Sequence, residues 1–161
     1  MSVFKSQFSR ALEVIKSDNA NIPYPADSSS GTNTSVVVSS LVASAATFVT
    51  NNVATGDIVY NTTDGTAATV VSVTNQTTLV LNADIFTATD KAFVVYTASS
   101  QTSNGNPGCN LYIGGAGNVR VTTIGGDIVT FTAVPVGSVL PVQVIKLHGT
   151  GTTATLVDAL W

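Results

Sequence analysis

The sequence predicts an all-β protein. Short runs alternate β-branched or aromatic residues with small polar ones, as in residues 127–132, Asp-Ile-Val-Thr-Phe-Thr, and such alternation is typical of half-buried strands. Turn-forming residues separate the runs, including the glycine pairs Gly114-Gly115 and Gly125-Gly126, because glycine reaches positive φ without steric cost. We therefore expect strands that reverse at these pairs, as a β meander in the last third of the chain.

The composition indicates a surface that neighbouring subunits cover. Charged residues make up 9% of the 161 residues, whereas an average soluble domain has about 25%. So few charges suit a subunit of an assembly, and the alternative is a soluble, threonine-rich β protein. The formal net charge of −3 supplies no basic stripe for phosphates, so we predict no nucleic-acid partner. The apolar runs are too short for a membrane helix, and we predict no membrane partner.

Residues 1–16 allow two conformations. On a helix, four apolar side chains would share one face, namely Phe4, Phe8, Leu12 and Ile15. The alternative is an extended arm that ends in a strand over residues 11–15. In both conformations the phenylalanines need a partner surface, either in the protein's own core or on a neighbouring subunit.

Two polar segments bracket a compact unit over residues 35–98. Residues 27–35 and 99–108 are rich in Ser, Thr, Asn and Gly, so we expect both to be flexible linkers. Between them, tight turns at Asp64-Gly65 and elsewhere separate five expected strands, at residues 36–38, 56–61, 67–73, 77–81 and 92–96. Short strands with such turns predict a small β-barrel similar to SH3-like folds, which would leave few exposed sheet edges.

The flanking segments are predicted to form one discontinuous parent domain. Two linkers around a compact unit are typical of an inserted domain, whose ends lie close together. Residues 1–34 and 99–161 would then fold together as a β-sandwich or jelly-roll-like domain, with residues 35–98 as the insertion.

Several ordered blocks of the parent domain resemble a known family. They are residues 111–121 (Leu-Tyr-Ile-Gly-Gly-Ala-Gly-Asn-Val-Arg-Val), Gly126-Asp127, Thr130-Phe131, 136–142, 149–155 and 159–161. Together they resemble the head spike base proteins of gene transfer agents and related tailed-phage virion proteins. Residues 14–18 and 21–26 are similar to the family's short N-terminal segment, which normally leads almost directly into the Leu-Tyr-Ile-Gly-Gly motif. The whole chain, insertion included, is similar to structural proteins of marine cyanophage-type myophages.

The resemblance implies a non-enzymatic structural protein of a virion. The family's place on the particle favours the phage head, as a capsid decoration, cement or vertex spike-base protein that binds the major capsid protein and copies of itself, as a trimer or pentamer. The expected assembly contacts are Phe4, Phe8, Leu12 and Trp161, since a large aromatic residue at the end of the sequence leaves apolar area bare unless it docks. Docking of Trp161 within the subunit and against a symmetry mate both remain open.

Two other functions are compatible with the same fold. One is a tail, baseplate or fibre-adaptor protein, which differs only in its partner. The other is a carbohydrate-binding module for host attachment, which needs an exposed aromatic platform, and the candidates for it are Tyr60, Tyr96 and Tyr112.

The residues that carry chemistry are few and scattered. His148 is the single histidine, and a catalytic role would need partners such as Asp127 or Asp158 and a nucleophile such as Ser138 or Thr150. Neither nucleophile lies in a Gly-x-Ser-x-Gly elbow, so we predict no enzyme and no catalytic residue.

Cofactor and metal sites are not predicted either. The Gly115-Ala-Gly117 turn is followed by an expected strand rather than by the helix that a dinucleotide site requires, so we interpret it as a hairpin turn. The single cysteine, Cys109, excludes an intrachain disulfide and is expected to be a buried small residue. Arg120 alternates with Val119 and Val121, so it points to the opposite face, as an exposed charge or as an interface partner of an aspartate.

Overall fold

A computed structural model describes residues 8–97 and 108–161, and its regular elements are all β-strands, which confirms the all-β prediction. Along the described residues the strands are β1 (Ala11–Glu13), β2 (Asp27–Thr32), β3 (Ser35–Val37), β4 (Ser40–Val42), β5 (Ile58–Asn61), β6 (Thr66–Asn75), β7 (Thr78–Leu81), β8 (Ala92–Tyr96), β9 (Asn110–Gly115), β10 (Gly117–Thr123), β11 (Ile128–Val134), β12 (Val144–Leu147) and β13 (Thr155–Leu160). In these two ranges no helix has the length and apolar character needed to cross a membrane.

The strands form three antiparallel sheets. Two sheets have three strands each, in the orders β1-β13-β9 and β11-β10-β12, and the third has the order β2-β8-β5-β6-β7-β4-β3. Both small sheets contribute alternate apolar side chains to one cluster, the first core, which includes Leu111, Ile113, Val119, Val121, Val144, Leu147, Val157 and Ala159. The small sheets therefore share a single hydrophobic core.

The seven-stranded sheet encloses its own core. The second core is built around fully buried residues of its strands and loops, which include Leu41, Phe48, Val59, Val70, Leu79, Phe86, Phe93 and Val95. Strand β6 bends, since residues 66–69 pair with β5 and residues 70–75 pair with β7.

The chain itself joins the two end strands of this sheet. Only Asn33 and Thr34 separate β2 from β3, and their amides donate to Lys91 O at 3.0 Å and to Val42 O at 2.8 Å. The hydrogen-bonded pairing of β2 with β8 and that of β3 with β4 thus continue into residues 33 and 34. One continuous segment therefore joins the two ends of the sheet, an arrangement expected of a small barrel. The likeness to SH3-like folds and the division into residues 1–34 with 99–161 and residues 35–98 stay predictions.

The prediction of a flexible linker over residues 27–35 is wrong. Residues 27–32 form β2, which pairs with β8, and the Ser28 hydroxyl donates to Val95 O at 3.2 Å. Gly31 lies against the ring of Phe93, where an added Cβ would be 3.4 Å from the ring. Small polar residues are common in linkers, but here they let the backbone lie close to a large aromatic side chain. The second predicted linker falls mostly on residues outside the described ranges.

The two glycine pairs have different roles. Gly125-Gly126 form the turn of the β10–β11 hairpin, in which Gly126 has φ of 93°. Gly114-Gly115 do not form a hairpin, because β9 pairs with β13 whereas β10 pairs with β11 and β12. A Cβ on Gly114 would lie 2.6 Å from Leu156 O, so this glycine permits close approach of β13. The meander prediction is also wrong, since β12 lies beside β10 rather than β11.

One segment ties the two large cores together. Residues 8–16 contain strand β1, so the extended alternative holds for the described part of residues 1–16. After it, Ser17 N donates to Leu147 O and its hydroxyl donates to Ala67 O, each at 2.9 Å. A third cluster forms around this segment, and its members are Ala20, Ile58, Tyr60 and Ala67, with Leu12, Ile15 and Tyr96 packed against them.

Candidate assembly surface

An exposed set of apolar side chains is the most prominent feature of the surface. Within the described ranges it consists of Phe8, Val36, Val37, Val38, Val49, Val71, Ile124, Ile128, Val129, Val136, Val139 and Leu156, each 40–77% exposed. Scattered exposed apolar residues are normal, but several of these are consecutive on strands at the end of a sheet. Such strands combine bare apolar area with unpaired backbone groups.

Strand β11 is the longest of these end strands. It pairs with β10 on one side and is the last strand of its sheet. Ile128 and Val129 are 57% and 40% exposed, although they point to opposite faces. Val129 lies opposite Val121, whose face carries the first core, whereas Ile128 lies opposite Thr122 on the outer face. Both faces of this strand are therefore accessible.

Strand β3 repeats this pattern at the end of the seven-stranded sheet. Val36 and Val37 point to opposite faces and are both about half exposed, and Val38 in the following turn is 77% exposed. Because neither valine of β3 is fully buried, these side chains contribute little to the stability of the isolated chain. This segment is a second apolar surface that a neighbouring molecule can cover.

The predicted contact residues do not form one exposed set. Phe8 is 42% exposed, but Leu12 packs against the third cluster and Trp161 packs against the first core. Phe4 lies outside the described residues. Of the three predicted contact residues that the structure describes, Phe8 is therefore the one whose side chain is exposed to a partner.

Trp161 is held by residues that the sequence analysis did not connect with it. Tyr24 meets the indole edge to face, with ring centroids 5.4 Å apart, and the Arg10 guanidinium lies over the Tyr24 ring at 5.2 Å. Trp161 N also donates to Arg10 O at 2.9 Å. The Pro-Tyr-Pro run was the available signal, because two prolines fix the backbone on either side of an aromatic side chain. The indole is therefore partly buried within the subunit, against the first core.

His148 lies in a polar cluster with partners other than those expected. Its Nδ1 is 3.3 Å from Asp18 Oδ1, and its Nε2 is 2.8 Å from Thr122 Oγ1. Asp18 Oδ2 also accepts from the Thr150 hydroxyl at 2.7 Å. Hydrogen bonds from Thr150, together with the nearby His148, hold the pKa of Asp18 below its usual value. Sequence spacing gives no sign of the pair, since 130 positions separate the two residues.

The order of carboxylate, imidazole and hydroxyl is also that of a hydrolytic triad. Thr122, however, belongs to a strand that is paired on both sides, with β11 and β12, and not to a sharp turn that presents a nucleophile. We interpret the cluster as a tie between the Asp18 segment and β12. The absence of catalysis stays a prediction.

Replacing Asp18 tests this tie. We expect Asp18→Asn to lower the free energy of unfolding by about 1 kcal/mol at pH 7, because charge-assisted hydrogen bonds are replaced by neutral ones on a partly exposed group. The carboxylate's contribution is present above its unfolded pKa of about 3.9 and disappears as the pH falls through the lower native pKa. The difference in unfolding free energy between the two proteins should therefore begin to shrink at about pH 4 and disappear below the native pKa of Asp18. Urea unfolding across this pH range measures it. Asp127→Asn on the exposed turn is the matched control, and an equal loss there would contradict the tie.

Of the three tyrosines predicted as a sugar platform, Tyr60 is buried. Tyr60 is 2% exposed and meets Tyr96 edge to face, with ring centroids 5.3 Å apart. The prediction of Tyr60 as part of an exposed aromatic platform is therefore wrong. Its β5 neighbours are also buried, so no ligand can stack on it without opening the sheet.

The remaining candidate residues have structural surroundings. Arg120 points away from the buried Val119 and Val121, as predicted, and is half-buried, with Nη1 3.4 Å from Thr150 O. Gly117 begins strand β10 rather than a helix, which removes the geometric basis of a dinucleotide site. Among the described residues, no three His, Cys, Asp or Glu side chains are grouped so that they could hold a metal ion.

Comparisons of the chain with models of protein families, with curated proteins and with solved structures found no match.

Proposed function

We propose that this chain is a non-enzymatic structural protein of a tailed-phage virion. The observation that carries the proposal is the exposed, uncharged surface of β11, a strand that ends its sheet with apolar side chains bare on both faces. The exposed apolar side chains of such a strand add little to the stability of a monomer and raise its risk of aggregation. A subunit with fixed neighbours buries it. The ordered sequence blocks that resemble virion proteins support the same function.

Within the virion, we propose the head surface as the location, as a capsid decoration, cement or vertex spike-base protein. The resemblance to head spike base proteins supports this choice. The partners would be the major capsid protein and copies of the chain, and the many weak apolar contacts of a repeated subunit would stabilise the shell by mass action. Phe8 and the β3 valines, which are exposed, are suited to such contacts.

Cryo-electron microscopy of phage heads mixed with the purified chain tests the location. We expect density for the chain on the shell or at a vertex. Density on the tail alone would contradict the head assignment, and no density on any part of the particle would contradict the proposed function.

Phe8→Ala is expected to weaken binding to heads without changing the fold. Full burial of an exposed phenylalanine side chain is worth about 1.5–3 kcal/mol. Phe8 is 42% exposed in the free chain, so its loss should cost about 0.6–1.3 kcal/mol and raise the dissociation constant by about 3- to 9-fold. Co-sedimentation of the chain with heads measures binding, and thermal unfolding of the isolated chain measures stability. Val71→Ala is the control, because Val71 is 50% exposed on a strand inside its sheet. Equal affinity of the Phe8→Ala variant and the parent chain would remove Phe8 from the contact surface.

A further inference from the structure

The outer edge of β11 carries unpaired backbone groups at known positions. In the hairpin, Thr123 N donates to Asp127 O, so Thr123 and Asp127 form a hydrogen-bonded pair. Such pairs alternate along an antiparallel ladder, so Val129 and Phe131 also bond to β10. The N–H and C=O groups of Ile128, Thr130 and Thr132 must then point outward. Ala133 N donates to Asn118 Oδ1 at 3.0 Å, which agrees with this alternation.

This edge lacks the usual protection against pairing. Residues 128–134, Ile-Val-Thr-Phe-Thr-Ala-Val, contain no charged residue and no proline, the two features that most often protect an edge strand. The pairing with β10 shifts from Val119–Phe131 to Gly117–Val134, which is a β-bulge. This bulge, the positive φ of 52° at Ala133 and the proline at position 135 affect only the end of the strand. The residues from Ile128 up to the bulge are therefore free to extend the sheet.

The geometry points to a second copy of this chain as the strand that pairs with β11, and we propose an antiparallel β11–β11 contact across a two-fold axis. Because the outward groups lie on alternate residues, a two-fold axis at Thr130 lets each Thr130 exchange two hydrogen bonds with its counterpart. Ile128 then bonds to Thr132 of the other copy. The inference names the partner surface of the proposed structural subunit, and in that sense it rests on the proposed function.

The side chains are complementary to themselves in this register. On the core side, Val129 lies opposite Phe131 of the other copy, which is a β-branched and aromatic pair. On the outer side, Thr130 lies opposite Thr130 of the other copy. Both kinds of cross-strand pair stabilise sheets. The nearest acidic residue, Asp127, lies opposite Ala133 of the other copy, so like charges do not meet. Phe131 is half-buried against the first core, so the partner's Val129 extends a surface that is already apolar.

Cysteine cross-linking tests the register. Directly opposed residues of a hydrogen-bonded pair have Cα atoms about 5.5 Å apart, which is within the range of a disulfide. We therefore expect Thr130→Cys to give a covalent dimer under mild oxidation of the native chain. Thr132→Cys is the matched control on the same edge, because its two copies would be offset by four residues, about 13 Å. The natural Cys109 is 2% exposed and does not compete.

Thr130→Pro tests the backbone contact separately. Its N–H points away from β10, so proline removes a donor that only the second copy uses, and the monomer fold is retained. We expect native mass spectrometry at micromolar concentration to show a dimer for the parent chain and a monomer for Thr130→Pro, with unchanged circular dichroism. The control is Ser72→Lys, which changes an exposed side chain on β6 and should leave the dimer intact. Proline is not used at this position, because β6 is paired on both sides.

The results separate this inference from the proposed function. A monomer at all concentrations, a trimer or pentamer that Thr130→Pro leaves unchanged, or equal cross-linking at positions 130 and 132 would overturn the β11 contact. Binding of the chain to phage heads in those cases would leave the proposed function standing. A specific dimer with no binding to any part of the particle would support the contact and contradict the function.

Discussion

Phe93→Ala is expected to lower the free energy of unfolding by about 3–5 kcal/mol. The Phe93 side chain is 2% exposed, its ring centroid lies 5.9 Å from that of Phe48, and Gly31 also packs against the ring. Truncation leaves a cavity that the surrounding β-ladders cannot close without shifting. Total stabilities of single domains are about 5–15 kcal/mol, so the variant should lose a large part of its stability in urea or heat.

A neighbouring position on the same strand is the control. Val94 follows Phe93 on β8, points to the opposite face and is only partly buried. Val94→Ala should therefore cost about 1 kcal/mol, a typical value for a partly buried strand position. Equal losses at positions 93 and 94 would show that the second core does not depend on Phe93 as its packing indicates.

The local periodicity of the sequence was enough to predict the fold class. Residues 127–132 mix apolar and small polar residues, residues 92–96 are a short run of β-branched and aromatic residues, and strands β11 and β8 cover nearly the same residues. Turn chemistry was equally informative at Asp64-Gly65, where Gly65 has φ of 64° between β5 and β6. Such signals depend on neighbouring residues alone, which is why a single sequence reveals them.

Pairing between distant strands could not be predicted in the same way. The absence of a Cβ serves a turn at Gly126 and a close approach to β13 at Gly114, and the sequence pattern is the same in both cases. The serines of residues 27–32 likewise have the composition of a linker, yet they complete a ladder with β8. What decides between the two outcomes is the partner strand, which lies far away in the sequence.

The candidate surface was predictable in character but not in position. Low charge indicated a covered surface, but it did not indicate β11, because alternation predicts one buried and one exposed face. Ile128 and Val129 are both exposed because β11 lies at the end of its sheet, a property of topology. Trp161, which was chosen from the sequence as a contact residue, instead packs against the first core.

The single thiol should be almost unreactive in the native protein. Cys109 is 2% exposed, and burial raises its pKa to about 12, whereas an unfolded cysteine has a pKa of about 8.5. At pH 8 this difference alone lowers the thiolate fraction by about three orders of magnitude, and the thiolate is the reactive form. We expect a disulfide reagent such as DTNB to label the native chain at least a thousand-fold more slowly than the chain in urea. Comparable rates in both states would contradict the burial of Cys109.

The same burial predicts how stability changes at alkaline pH. Between about pH 8.5 and 12 the unfolded chain releases the thiol proton and the native chain keeps it, so the unfolded state binds fewer protons and the free energy of unfolding falls by about 1 kcal/mol per pH unit. Burial also raises the pKa of Tyr60, which adds to the slope above about pH 10, where an unfolded tyrosine ionises. Cys109→Ala should therefore flatten the decline between pH 8.5 and 10, and Tyr60→Phe should flatten it only above pH 10. An unchanged slope in Cys109→Ala would show that another group controls alkaline unfolding.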